Sequence, residues 1–241
     1  MRRVLYLYSH QTRFFYELVK ILKEHQLQYR AVDHPKDFVP KTWALVITTI
    51  DEAKQFGNHS LMKILALNPV IPIENNLLRI LAEMNDEINK NKITVSIDPG
   101  ANCNGIALIL GGYTIYTTNL YDIDEIPRFI FRVVDTFPRF TKFTIKIGNG
   151  VKSLLEKVLE SLRPFNLDQK NIKVEIVNES KTSLYKTKEK GKKPRSYDEN
   201  AAIAIGHRSG KLESLCVDAD KDALCIDQNE QGKNSEESSQ E

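Results

Sequence analysis

Along the first ninety positions the apolar residues switch repeatedly between two spacings. Val4–Tyr8 reads as a strand, and Thr12–His25 as an amphipathic helix in which Phe15, Leu18, Val19, Ile21 and Leu22 recur at near-helical intervals. Gln28–Val32 and Trp43–Thr49 read as further strands and Ile50–Phe56 as the start of a helix. Val70–Ile73 reads as a short strand before a helix over Asn75–Ile88. Strands alternating with helices over short connections predict a parallel, doubly wound α/β unit. No glycine-rich phosphate loop of either common type occurs here, so no nucleotide site is argued. Ser9–Arg13 opens the first helix, where a helix N-terminus can bind an anion, but ordinary capping and solvation are the favoured account of these residues, with His10 and Arg13 at the surface.

The second half has a different rhythm. After the polar segment Asn85–Lys92, three apolar runs at hairpin distance (Ile93–Ile97, Gly105–Leu110 and Thr114–Asn119) predict antiparallel strands, with Gly111-Gly112 as one turn. Helix Ile126–Thr136, strand Phe143–Gly148, helix Val151–Leu162, strand Val174–Asn178 and helix Asp198–Gly210 then alternate. Beyond Glu213 the chain turns to Asp, Glu, Ser, Gln and Asn with few apolar anchors, which predicts disorder. The expected organisation is therefore a Rossmann-like α/β domain over residues 1–90, a mixed-sheet α/β domain over 91–213, and an acidic tail over 214–241.

Charge changes this picture more than composition does. Of 241 residues, 41% are hydrophobic, enough for a proper core, and the formal net charge is only +2. Ser214–Glu241 holds eight Asp or Glu against two Lys, so the residues before it carry about +8. A basic body with an acidic tail suggests a polyanionic partner. Cys103, Cys216 and Cys225 have neither zinc-ligand nor disulfide-framework spacing, and sparse cysteine suits a reducing compartment. No apolar stretch approaches the ~20 residues of a membrane span, and the N-terminal apolar run is too short for a signal peptide. A cytoplasmic protein with no membrane contact is expected.

Three places in the second half put an acid at the end of an apolar element. Asp98 closes the strand Ile93–Ile97 and precedes Pro99-Gly100. Glu179 follows the strand Val174–Asn178, and Asp198 and Glu199 begin the last apolar helix. Each has an ordinary explanation: Asp98 as a turn residue, Glu179 as a helix cap, and Asp198 and Glu199 as partners of a helix dipole. Together they suggest more, because carboxylates gathered at one sheet edge repel unless a cation neutralises them. Hard oxygen donors suit Mg²⁺ or Mn²⁺. Two such ions can activate a water and stabilise the leaving oxygen of a phosphodiester.

At these residues the chain resembles a known superfamily. Asp98-Pro-Gly with Gly105-Ile-Ala is similar to the first-strand motif of the RuvC-like and YqgF-like branch of the ribonuclease H-like fold. Asn178-Glu179-Ser180-Lys181-Thr182-Ser183 resembles the Asp-Glu-Arg-Leu-Thr-Thr element of YqgF. Glu199–His207 resembles the C-terminal run of RuvC. The element order from Ile93 to Gly210 also matches, whereas residues 1–90 have no counterpart. RuvC resolvases carry an acid after the fourth strand, where this chain has Gly148-Asn149-Gly150; YqgF places its second acid after the fifth, as Glu179 stands here. The resemblance implies Asp98, Glu179 and an acid of the last helix as catalytic metal ligands; that acid falls on Asp198 by the YqgF pattern or on Glu199 by the RuvC pattern, with Asp198 preferred and Glu199 kept as an accessory ligand. It also places a family histidine on His207, which at the far end of its helix reads as a packing or surface residue.

Lys181, Lys186, Lys188, Lys190, Lys192, Lys193 and Arg195 face a single acid, Glu189, in the segment linking two of the candidate ligands. A basic loop beside a metal site can hold phosphates without reading sequence. The expected function is a Mg²⁺- or Mn²⁺-dependent nuclease acting on structured nucleic acid: Holliday junctions, branched DNA, or RNA. The alternative is a nucleic-acid or ribonucleoprotein-binding factor that keeps the fold without hydrolysis. An actin-like ATPase would need a second phosphate loop, and none is seen. Residues 1–90 are expected to serve a protein partner, substrate contact or homodimer.

Overall fold

The computed structural model of the protein describes residues 4–84, 88–165, 167, 171–179 and 196–213. The first sheet contains β1 (Val4–Leu7), β2 (Tyr29–Ala31), β3 (Ala44–Thr49) and β4 (Met62–Leu67), all parallel, in the order β2-β1-β3-β4. Strand alternation divides its side chains between two faces. Leu5, Leu7, Leu45, Ile47, Leu65 and Leu67 pack with Phe14, Leu18 and Leu22 of α1 (Thr12–Glu24) and Ile80 of α2 (Ile73–Glu83). On the other face Tyr6, Tyr8, Val46, Met62 and Ile64 meet Val32, Phe38 and Phe56 from the connecting segments.

Three elements here differ from the sequence pattern. Val70–Ile73 is not a strand, because Pro69 and Pro72 remove ladder donors at and beside it; Val70 is exposed, and Pro72 caps α2. The strand is instead Met62–Leu67, which carries Lys63 and Ala66 and has only Ile64 as a β-branched residue, so that its pairing with β3 is what defines it. The helix expected from Ile50 is a single 3₁₀ turn, Ala53–Gln55.

The second sheet runs β10-β9-β8-β5-β6-β7. β5 (Lys92–Asp98), β6 (Asn104–Leu110) and β7 (Tyr113–Leu120) form an antiparallel meander. β8 (Lys142–Gly148) and β9 (Ile172–Val177) extend it, parallel to β5. A meander continued on its first strand by two parallel strands makes a mixed sheet. β10 (Lys211–Glu213) was not foreseen: three exposed residues return antiparallel to β9, held by pairing rather than by burial.

Ile93, Val95 and Ile97 of β5 alternate onto one face with Ile106, Leu108, Phe143, Ile145 and Ile147, under α3 (Glu125–Thr136) and α4 (Lys152–Leu162). Fully burying each such side chain stabilises by about 1.5–3 kcal/mol. Leu78 and Ala82 of α2, with Ile88, enter this same core, while Ile80 of that helix faces the first sheet. The opposite face carries the short residues Ser96, Ala107 and Thr144, with Ile109 beside them, all buried. Against it lies α5 (Tyr197–Gly206), in which every residue from Ala201 to Gly206 is buried. A helix of Ala, Ile and Gly on a small-residue surface approaches closely, and this closeness positions the residues described next. Among the described residues, no helix is long and apolar enough to cross a membrane.

Candidate functional site

The carboxyl ends of β5, β8 and β9 lie side by side, because the three are parallel neighbours. In open α/β sheets this edge is where ligands bind. Asp98 is the last residue of β5 and is 9% exposed. Ile97 stands opposite Ile147, so Gly148 closes β8 beside Asp98, and Gly148 in turn stands opposite Val177, two residues before Glu179. The Glu179 carboxylate fills the space that side chains at 148 and 150 would take. A Cβ at Gly148 would stand 2.8 Å from Glu179 Cδ and 2.7 Å from Ile205 Cδ1, and one at Gly150 would stand 2.9 Å from Glu179 Cδ. Asn149, between the glycines, accepts a hydrogen bond from the Glu179 N–H at 3.3 Å, and its own N–H donates to the Val177 carbonyl. The place where a fourth-strand acid seemed to be missing is thus occupied by the acid that follows the fifth strand.

The first turn of α5 supplies the third acid. Gly105 lies opposite Asp98 in the β5–β6 ladder and also directly beneath the Asp198 backbone. A Cβ at Gly105 would collide with the Asp198 carbonyl and stand 3.0 Å from its Cβ. The turn is fixed by a capping box: Ser196 Oγ accepts from the Glu199 N–H at 3.1 Å, and the Ser196 N–H donates to the Glu199 carboxylate at 2.7 Å. Asn119 of β7 exchanges hydrogen bonds with the Ser196 hydroxyl at 3.0 and 3.1 Å. The cap thus engages Oε2 of Glu199, the residue expected as an accessory ligand, in the turn that carries Asp198.

Electrostatics tie Asp98 to the other two acids. Burial, then the charges of Glu179 and Asp198, push the Asp98 carboxyl up to about 7. Cys103, in the loop from β5 to β6, donates its thiol hydrogen to Asp198 Oδ2 at 3.1 Å. Burial, that bond, and the charges of Asp198 and Asp98 push the thiol up to about 11, so the sulfur keeps its proton at neutral pH. Among the described residues, no three His, Cys, Asp or Glu side chains are already drawn into a metal-holding group. The donor chemistry of Asp98, Glu179 and Asp198, carboxylates near enough for two to raise the pKa of the third, suits a hard divalent cation.

Other candidate residues lie elsewhere. Lys181, Lys186, Lys188, Lys190, Lys192, Lys193 and Arg195 fall outside the described residues, as does the segment 214–241. His207 is the C-cap of α5, at the opposite end from Asp198, and burial and then Lys146 lower its pKa. The start of α1 is served from within: Glu52 accepts from the His10 N–H at 2.6 Å and from the Thr49 hydroxyl at 2.7 Å. Burial raises the Glu52 pKa, but hydrogen bonds from His10, Thr49 and Ser9 outweigh it and the net shift is downward. A carboxylate already fills the anion position there, and Arg13 pairs with Glu17 at 3.0 Å. The sequence pattern did not single out Cys103 or Asn149; the brevity of the Asp98–Asn104 connection was the available signal for Cys103.

No family model matches the chain, and no curated protein matches it. Among solved structures, the Thermus thermophilus RuvC structure is similar over 47% of this chain and 90% of that one, at 16% identity and a TM-score of 0.32. The crystal structure of Aa-Ago with externally bound siRNA is similar over 73% of this chain and 34% of that one, at 9% identity and a TM-score of 0.25. This chain spans about a third of that protein's length.

Proposed function

We propose that the protein is a metal-dependent nuclease that hydrolyses phosphodiesters in structured nucleic acid, such as a Holliday junction, branched DNA, or RNA. The observation that carries this reading is the convergence of Asp98, Glu179 and Asp198 at one sheet edge, where two of them drive up the pKa of the third. In this reading the three carboxylates hold one or two Mg²⁺ or Mn²⁺ ions, and the ions, when bound, supply Lewis-acid activation of water and neutralise charge at the phosphate. The chain's own part is placement. The strand ends set Asp98, the glycines at 148 and 150 seat Glu179, and Gly105 lets α5 bring Asp198 down. Lys181, Lys186, Lys188, Lys190, Lys192, Lys193 and Arg195 hold the phosphate backbone, which gives salt-dependent affinity with little sequence preference. In the same reading residues 1–90 make one α/β domain and 91–213 make the domain that carries the site. The setting we propose is cytoplasmic.

The test is cleavage of branched and single-stranded DNA and RNA with Mg²⁺ present. The wild type is expected to cut at least one of them, and Asp98→Asn to cut it at least about a hundredfold more slowly, beyond what loss of an outer-shell partner alone costs. Equal rates for the two proteins contradict the assignment. Binding that persists in EDTA, with no cleavage of any substrate, selects a non-catalytic nucleic-acid-binding factor instead.

A further inference from the structure

We propose that Cys103 is a positioning residue for the acidic site, its thiol holding the Asp198 carboxylate in the orientation that lets it share a cation with Asp98. The inference rests on the metal-site reading above and names a determinant of that site's affinity. Two features restrict Asp198 before any side-chain contact is made. Its backbone carbonyl lies against Gly105, directly across the ladder from Asp98, and the capping box fixes the helix turn that carries it. What remains free is rotation of the side chain, and the one side-chain hydrogen bond described for that carboxylate comes from Cys103 Sγ to Oδ2 at 3.1 Å.

The donor is itself well placed. Cys103 sits at the end of the loop that begins at Asp98-Pro99-Gly100, and that loop folds back until the Cys103 carbonyl touches Gly100, where a Cβ would stand 3.5 Å from the Cys103 carbonyl carbon. The loop is thereby held compact, and the thiol tether joins the segment just after Asp98 to the first turn of α5. A thiol is a weak donor, but a carboxylate acceptor strengthens the bond. Groups that orient metal ligands in this way typically change metal affinity 10–100-fold when removed.

The experiment is a Mn²⁺ titration of the full chain, following free Mn²⁺ by electron paramagnetic resonance, with thermal unfolding of the metal-free proteins measured in parallel. Cys103→Ala is expected to weaken Mn²⁺ binding about tenfold, the lower end of that range, because the bond is a single neutral-donor one. Cys103→Ser, which keeps a donating hydroxyl, is expected to recover most of the loss, with melting temperatures of all three proteins close together. Equal Mn²⁺ affinity for wild type and Cys103→Ala overturns the inference and leaves the metal site standing. Cys103→Ser binding as weakly as Cys103→Ala also overturns it, since packing rather than the hydrogen bond would then be the cause. A wild-type protein that binds no Mn²⁺ overturns the site reading and this inference together.

Discussion

Replacing Asp98 with Asn should make the metal-free protein more stable than the wild type at about pH 8, by up to about 4 kcal/mol. The sign follows from linkage. In the folded chain the Asp98 carboxyl holds its proton up to about 7, against 3.8 in its ordinary state. Between these values the folded state binds more protons than the unfolded one, so stability falls as pH rises. The contribution is fully present below about pH 4 and is lost as pH passes through about 7; roughly three units correspond to about 4 kcal/mol. Urea unfolding in EDTA, for wild type and Asp98→Asn, measures it as the divergence of the two pH profiles. Parallel profiles would show that burial and like charge do not act on Asp98. Divalent cation at high pH should restore the wild type, since an ion that binds only the folded chain stabilises it by about 2.7 kcal/mol at a hundredfold excess over its Kd.

The second large effect is expected at Gly105. Its Cα faces the Asp198 backbone, so the methyl group of Gly105→Ala meets a helix and not a side chain that can swing away. α5 must lift off the small-residue face formed by Ser96 and Ala107, at a cost of about 1–3 kcal/mol or more. At roughly 2–4 °C per kcal/mol for a chain of this size, calorimetry should resolve the loss. Gly148→Ala makes a useful contrast. There the obstacle is the Glu179 carboxylate together with the Ile205 side-chain tip, so less stability should be lost and more of the affinity for a cation. If Gly105→Ala melts with the wild type, the close approach of α5 is not what positions Asp198.

Much of this was legible along the chain, for reasons that differ by element. Ile93, Val95 and Ile97 alternate and then stop at Asp-Pro-Gly, so a strand ending in a buried acid could be read directly. The apolar run from Ala201 to Gly206 announced a buried helix, with Asp198 in its first turn. The capping box of Glu199 was also written in the sequence, since Ser196 has an acid three residues on; its place among the candidate ligands came from the resemblance. The seating of Glu179 was not legible. Gly148-Asn149-Gly150 looks like a loop lacking an acid until the register of β8 and β9 shows whose side chain fills it. Cys103 was hidden for a similar reason: its partner lies 95 residues away, and only tertiary packing joins them. β10 and β4 show the same limit at the level of strands, since each is defined by the free edge it pairs with more than by its own residues.

The central claim is that Asp98, Glu179 and Asp198 form one cation site and that Glu199 does not belong to it. Equilibrium Mn²⁺ binding by Asp98→Asn, Glu179→Gln, Asp198→Asn and Glu199→Gln, each beside the wild type, tests this most directly. The account predicts that each of the first three weakens binding by more than about tenfold, while Glu199→Gln stays close to the wild type and loses mainly the stability of a helix cap, about 0.5–2 kcal/mol. A wild type that binds no Mn²⁺, or a Glu199→Gln protein that loses the ion while Asp198→Asn keeps it, would contradict it.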